Sequence, residues 1–193
     1  MGGFQTQTTS MLLREGSTAW AEGPTIPGSG TVLGCAVEVT DGFLLIGGLD
    51  HEARVIKFTV NSGDWLEAWP SLRVGRFAHG CVRLQDTVIV TGGYYDLAST
   101  EILQISTRTR RNGGDLKLPR NSMAMGAVGP AGLGVVYAAG GMAGVGGTDD
   151  IQTDTVESWD PLSESWSLEE TRLGEAKFYF GFVVIPTSLI CPV

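Results

Sequence analysis

An all-β fold made of repeated four-stranded antiparallel units is predicted by three observations. Glycine pairs recur at Gly2–Gly3, Gly47–Gly48, Gly92–Gly93 and Gly140–Gly141, with their first glycines 45, 45 and 48 residues apart. A bulky residue (Leu13, Phe58, Leu103) stands ten positions after the second glycine, delayed to Trp159 in the last copy, and seven further on come Trp20, Trp65, Arg110 and Trp166. No segment carries a convincing 3.6-residue apolar stripe over eleven or more residues, so almost no helix is expected. A repeat of this length is the signature of a stacked or radial architecture.

Taken in order, residues 1–30 read as a partial first unit. Its strands are Thr8–Arg14 and Ala19–Ala21, and a breaker cluster follows at Gly23–Gly30. Residues 31–70 make a whole unit, with strands at Thr31–Val39, Phe43–Ile46 and Val55–Val60 and a fourth at Trp65. Asp41-Gly42 and the Asn61–Asp64 segment supply its tight turns. Residues 77–119 repeat the plan at Phe77–Leu84, Thr87–Thr91 and Glu101–Ser106, with a fourth strand expected near Asp115–Leu118. Residues 123–168 repeat it again at Ala124–Val128, Gly134–Ala139, Thr155–Trp159 and Ser165–Leu168. Residues 175–185 supply the first strand of a further unit, Lys177–Ile185, and 186–193 are read as a tail.

The recurring residue types have a physical reason. A glycine pair at the end of a strand permits positive φ and close approach of a neighbouring backbone or ring. The aromatic and the tryptophan that follow fall on adjacent strands, where they pack on each other and on the next unit. One unit alone has too little core, so several must stack face to face.

Bulk properties narrow the function. A formal charge of −8 argues against nucleic acid and against an anionic membrane, both of which call for basic surfaces. The apolar run near the carboxy terminus is interrupted by Pro186 and Pro192 and is shorter than the roughly 20 residues of a membrane span. No secretory leader is visible, and a cytoplasmic location is expected. Cys35 and Cys81, each just after a glycine, read as equivalent positions in successive units and as two small buried thiols. No pair of cysteines or histidines has zinc-ligand spacing, so no metal is expected. His79, in an expected strand, reads as a partly buried core histidine.

Glycine pair, then aromatic-Asp-Pro, then tryptophan, clearest in Gly140-Gly141, Trp159-Asp160-Pro161 and Trp166, resembles the kelch repeat, the blade of a β-propeller. The resemblance covers about residues 2–185. It implies a partial kelch-type β-propeller with three complete four-stranded blades and two partial ones. Propellers of this family usually close with six blades, so the chain is expected to be a piece of a longer ring. Leu103 and Arg110 depart from the aromatic pattern, and their blade is expected to pack most weakly. Arg108, Arg110 and Arg111 are expected to face solvent.

In such blades the second-to-third and fourth-to-next-first connections emerge on one face, which in kelch relatives commonly holds a protein partner. On that face the candidate partner-binding residues are Asp50, His51, Arg73, Arg76, Tyr94, Tyr95 and Arg120, with Asp96 beside them. Arginine forks take carboxylates and tyrosines give rigid contact area. The long insertion Met142–Asp154 reads as a flexible loop; Asp149, Asp150 and Asp154 lack calcium-loop spacing.

The resemblance implies a non-enzymatic module that binds a protein or peptide. Its typical settings are substrate recognition for a cullin-RING ubiquitin ligase, normally alongside an amino-terminal BTB domain, and cytoskeletal association. Copper enzymes of the galactose-oxidase type and sialic acid epimerases share the fold, but two histidines and no evident Tyr/His ligand set point to no cofactor. A third reading is a non-functional propeller fragment, since an open arc would leave apolar blade faces and strand edges free for self-association.

Overall fold

The computed structural model describes residues 8–13, 16–67, 69–94, 98–129, 134–143 and 151–184, and these contain strands and turns but no helix. A first, two-stranded unit pairs β1 (Met11–Leu13) with β2 (Trp20–Glu22). The next blade is β3 (Cys35–Val39), β4 (Gly42–Ile46), β5 (Val55–Thr59) and β6 (Asp64–Leu66), paired in that order. The third follows the same meander with β7 (Gly80–Leu84), β8 (Thr87–Thr91), β9 (Thr100–Gln104) and β10 (Thr109–Asn112). The fourth uses β11 (Ala124–Val128) and β12 (Val135–Ala139), then β15 (Val156–Asp160) and β16 (Ser165–Leu168). Between β12 and β15 the insertion begins and ends in a two-stranded ladder, β13 (Met142–Ala143) with β14 (Ile151–Gln152).

The first strands β3, β7 and β11 run beside one another along the inner edge without sharing a sheet. Second strands are covered on both faces, which is why β4 and β8 read as continuous apolar runs. Alternation then assigns each face. Leu44 and Ile46 pack with Val88, Val90 and Leu103 between the second and third blades. Leu45 and Ile56 turn the other way, towards Ile26. Ile89 and Ile102 meet Val136, Trp159 and Trp166 between the third and fourth. Across that interface the Trp166 indole N–H donates to Thr100 Oγ1 at 3.0 Å.

The third blade is therefore not the loosest. Leu103 is fully buried, since an aliphatic knob fills the space assigned to an aromatic, and Arg110 turns its head to Glu101. Arg111 pairs with Glu164 of the fourth blade, while Arg108 is exposed. The thin interface is the first: Met11, Leu13 and Trp20 are exposed, and Trp65 Nε1 is buried with no partner among the described residues.

Other expectations need correcting. The fourth strand of the third blade is Thr109–Asn112, not 115–118; an outermost strand tolerates Thr-Arg-Arg-Asn, and the apolar Leu116 is buried beyond it. First strands begin at Cys35 and Gly80 because the preceding Leu33 and Ala78 take left-handed φ of 58° and 52° and turn the chain out of the ladder. Ser122 (54°) and Tyr179 (53°) repeat that bend, yet residues 177–184 form no ladder among the described residues.

Cys35 and Cys81 form a disulfide rather than two thiols, and both are half-buried. The ladder shows why. Cys35 pairs with Ile46 at the last position of β4, and its counterpart in the third blade is Gly80, which pairs with Thr91. Cys81 stands one residue further on. Side chains alternate between sheet faces, so this single-residue offset turns the two sulfurs towards each other across neighbouring inner strands.

Candidate functional site: the loop face

Three glycine pairs make the same corner. Gly47 and Gly48 have φ of 58° and 100°, Gly92 and Gly93 68° and 110°, Gly140 and Gly141 62° and 95°. Gly2–Gly3 lies outside the described residues. At each corner the second glycine's N–H donates to the entry segment of the next blade: Gly48 to Arg76 O (2.9 Å), Gly93 to Arg120 O (3.1 Å), Gly141 to Lys177 O (2.7 Å). The residue two further along that segment donates back in the chain of bends, Ala78 N to Leu33 O (2.8 Å), Ser122 N to Ala78 O (2.7 Å) and Tyr179 N to Ser122 O (2.9 Å). These bonds set the second-to-third and fourth-to-first connections side by side on one face, as the sequence predicts.

Two of the expected binding residues hold that face from below. Arg76 is fully buried, and its guanidinium donates to Gly92 O (2.7 Å), Ser99 O (3.0 Å), Ser99 Oγ (2.7 Å) and Glu101 Oε1 (3.2 Å). Arg120 repeats the set on Gly140 O (2.9 Å), Thr155 O (3.0 Å), Thr155 Oγ1 (2.9 Å) and Glu157 Oε1 (2.8 Å). Each glutamate also accepts two backbone N–H groups from the incoming loop: Arg73 and Val74 on Glu101, Lys117 and Leu118 on Glu157. Burial pulls the Arg120 guanidinium below its ordinary value, and the Glu157 charge opposes that pull. With both forks spent inside the blades, Arg76 and Arg120 leave the set that could meet a partner.

The others are displayed. Asp50 is exposed at a turn tip with φ of 71°. His51 Nε2 and Ser29 Oγ share a hydrogen bond at 2.9 Å. Arg73 is exposed, with Nη1 3.5 Å from Asn112 Oδ1. Tyr94 is 44% exposed, and its ring stacks on Phe77 with centroids 4.9 Å apart and planes 19° off parallel. Tyr95 and Asp96, like Asp149 and Asp150, lie outside the described residues; Asp154 accepts from Arg172 at 2.8 Å.

The structure adds residues the sequence reading passed over. Arg54 donates to Pro27 O at 2.8 Å and pairs with Glu67, and with Gly28, His51, Glu52, Ala53 and Ser71 they line an open groove of about 590 Å³. Arg54 lies in the second-to-third connection between β4 and β5, which the blade plan puts on that face, so only its side-chain direction was hidden. Phe77 precedes a left-handed residue, and nothing in its own neighbourhood announces the Tyr94 stack.

His79 immediately precedes β7 and is buried, with the Arg76 charge acting on it. Burial, then the Arg76 charge, lowers its pKa to about 3, against a smaller opposing contribution from the Arg76 backbone. It is a neutral core histidine. Among the described residues no group of three or more His, Cys, Asp or Glu side chains could hold a metal ion.

No protein-family model matches the chain. It is similar to Kelch-like protein 35 of Mus musculus, with 24% identity over 152 residues that cover 79% of this chain. The match spans 25% of that protein's length. Repeated four-stranded blades, glycine corners in register and this likeness together make the fold a partial kelch-type β-propeller.

Proposed function

We propose that the chain is a non-enzymatic binding module whose loop face holds a protein or peptide partner. The observation that carries the reading is Tyr94, a large ring left open to solvent yet held in place by stacking on Phe77. Such a pre-positioned aromatic gives contact area at low entropic cost. Arg73 supplies a charged fork near the entry to the third blade, and the His51–Arg54 groove extends the face across the second. Buried arginine clamps hold the ends of the second-to-third connections, Gly92 with Ser99 and Gly140 with Thr155, at fixed places on that face.

The setting that goes with this reading is cytoplasmic, as the substrate-recognition part of a cullin-RING ubiquitin ligase or as a cytoskeletal association module. Self-association belongs to the same reading, through Trp20, Met11 and Leu13 at one end and Val183 and Val184 at the other, all exposed.

Panning a random peptide library on the full chain tests the face. Enriched peptides should bind Tyr94→Ala and Arg73→Ala at least ~10-fold more weakly, the loss of about 1.4 kcal/mol or more expected of a central contact. Val60→Ala, at an exposed turn on the opposite face, should bind them normally. Peptides that ignore both loop-face substitutions would place binding elsewhere.

A further inference from the structure

We propose that Cys35 and Cys81 are a reversible redox cross-link between the second and third blades, oxidised and reduced by exchange with a small-molecule disulfide–thiol couple such as glutathione. The inference stands apart from partner binding on the loop face.

Three observations carry it. The half-buried cysteines lie on neighbouring inner strands that share no sheet, so among the described residues the bond is the only covalent tie between those blades apart from the chain itself. The interface does not depend on that tie. Leu44, Ile46, Val88, Val90 and Leu103 pack across it, and Gly48 N to Arg76 O and Ala78 N to Leu33 O join its entry segments. A folded reduced form is therefore expected, unlike a domain whose disulfides replace a core. At the next joint, between the third and fourth blades, Gly80 and Met125 occupy the corresponding places, and Met125 Sδ lies where a Gly80 side chain would be. One joint is cross-linked and its neighbour is packed by a thioether, on the same backbone.

The exchange balances simply. One thiolate attacks the small disulfide, forms a mixed disulfide and expels one small thiolate. The second cysteine, having lost its proton, attacks the protein-bound sulfur and expels the other. Two electrons and two protons pass from the cysteine pair to the disulfide, which leaves as two thiols. Cys35 and Cys81 lie two and three residues beyond Leu33 and Ala78, so oxidation pins the bend that carries Thr31 on one side and Arg76 and Phe77 on the other.

The test uses the full chain carrying Cys191→Ser, so that one pair is titrated. Equilibrated with graded reduced and oxidised glutathione, then labelled with a thiol-reactive polymer, it should pass between two free thiols and none, reversibly and without denaturant. Amide exchange at Gly48 and Ala78 should be several-fold faster in the reduced protein, with Gly93 and Ser122 at the neighbouring joint unchanged. The Cys35→Ser, Cys81→Ser double variant should keep the native circular dichroism and exchange like the reduced form. A pair that stays reduced at every ratio, or that is reduced only after unfolding, overturns the proposal. So does equal exchange at Gly48 and Ala78 in the two states, or a double variant that fails to fold.

Discussion

Arg120 and Glu157 form an ion pair with both side chains fully buried, Nη2 to Oε1 at 2.8 Å, and the third blade repeats it with Arg76 and Glu101 at 3.2 Å. Burying charge is unfavourable unless every lone pair and N–H finds a partner. Here the carboxylate accepts from the guanidinium and two backbone donors, and both Nη groups of Arg120 are used, while its Nε–H is buried with no partner among the described residues. The pair joins a glycine corner, the start of a third strand and an incoming loop in one knot.

Removing one member should therefore be severe. Arg120→Ala or Glu157→Ala is expected to cost about 3–5 kcal/mol in urea unfolding, because the survivor stays buried and uncompensated. Arg120→Lys should recover little, since an ammonium cannot span two carbonyls and a carboxylate in one plane. The double change Arg120→Met, Glu157→Leu should be milder than either alanine. A near-neutral Arg120→Ala would mean the pair is not closed in solution.

His79 predicts the acid limb of stability. Its folded pKa, about 3, lies below the unfolded value of 6.5, so the unfolded chain binds the extra proton first. Stability is fully present above pH 6.5 and falls as pH drops towards 3, by about 1.4 kcal/mol per unit well inside that window. Asp86 and Asp160, held below the ordinary carboxylate range mainly by hydrogen bonds from Ser106 and Leu162, add losses only at lower pH. Melting curves between pH 6.5 and 4.5 should separate wild type from His79→Met, the residue the fourth blade carries there as Met123. Parallel curves would show that His79 is not buried neutral.

Leu103 and Trp20 should sort the blades by firmness. Leu103→Ala is expected to cost about 2–5 kcal/mol as a cavity in the interface between the second and third blades. Trp20→Ala, at a side chain 63% exposed, should fall within about 0.5 kcal/mol. Limited proteolysis should cut first within residues 8–22 and spare β7 to β10. Early cleavage in the third blade would reverse this order.

Glycine corners should be intolerant where turn glycines are not. A Cβ on Gly48 (φ 100°) would stand 1.9 Å from Thr31 Oγ1 and 2.8 Å from Val32 O, whereas Gly63 (φ 74°) faces open space. Gly63→Ala should cost only its left-handed strain, about 1–2 kcal/mol. Gly48→Ala should exceed that by a wide margin in the same denaturant titration. Equal effects would remove the special standing of the corners.

The corners were legible because only glycine meets their demand for positive φ and close contact, so composition and geometry coincide at Gly47, Gly92 and Gly140. The clamp was not, because its halves lie 25 residues apart in one blade and 37 in the other. A trace existed: Glu101 stands between buried Thr100 and Ile102, and Glu157 two positions from buried Thr155 and Trp159, where a carboxylate must have a partner. The cysteine pairing was hidden by the glycine that precedes each, which made Cys35 and Cys81 look equivalent when the ladder sets them one residue out of step. Tyr94 could be assigned to the second-to-third connection of its blade, but its stacking on Phe77 depends on a connection from another strand pair.

The joint between blades is the same coupling each time: a glycine N–H into the following entry segment, and a left-handed residue handing its predecessor's carbonyl the next bond. Interchangeable couplings of this kind make residues 76–119 a cassette. Duplicating or excising that stretch would present the same backbone ends on either side, so the chain could lengthen or shorten by whole petals with only the side chains between blades left to be rematched.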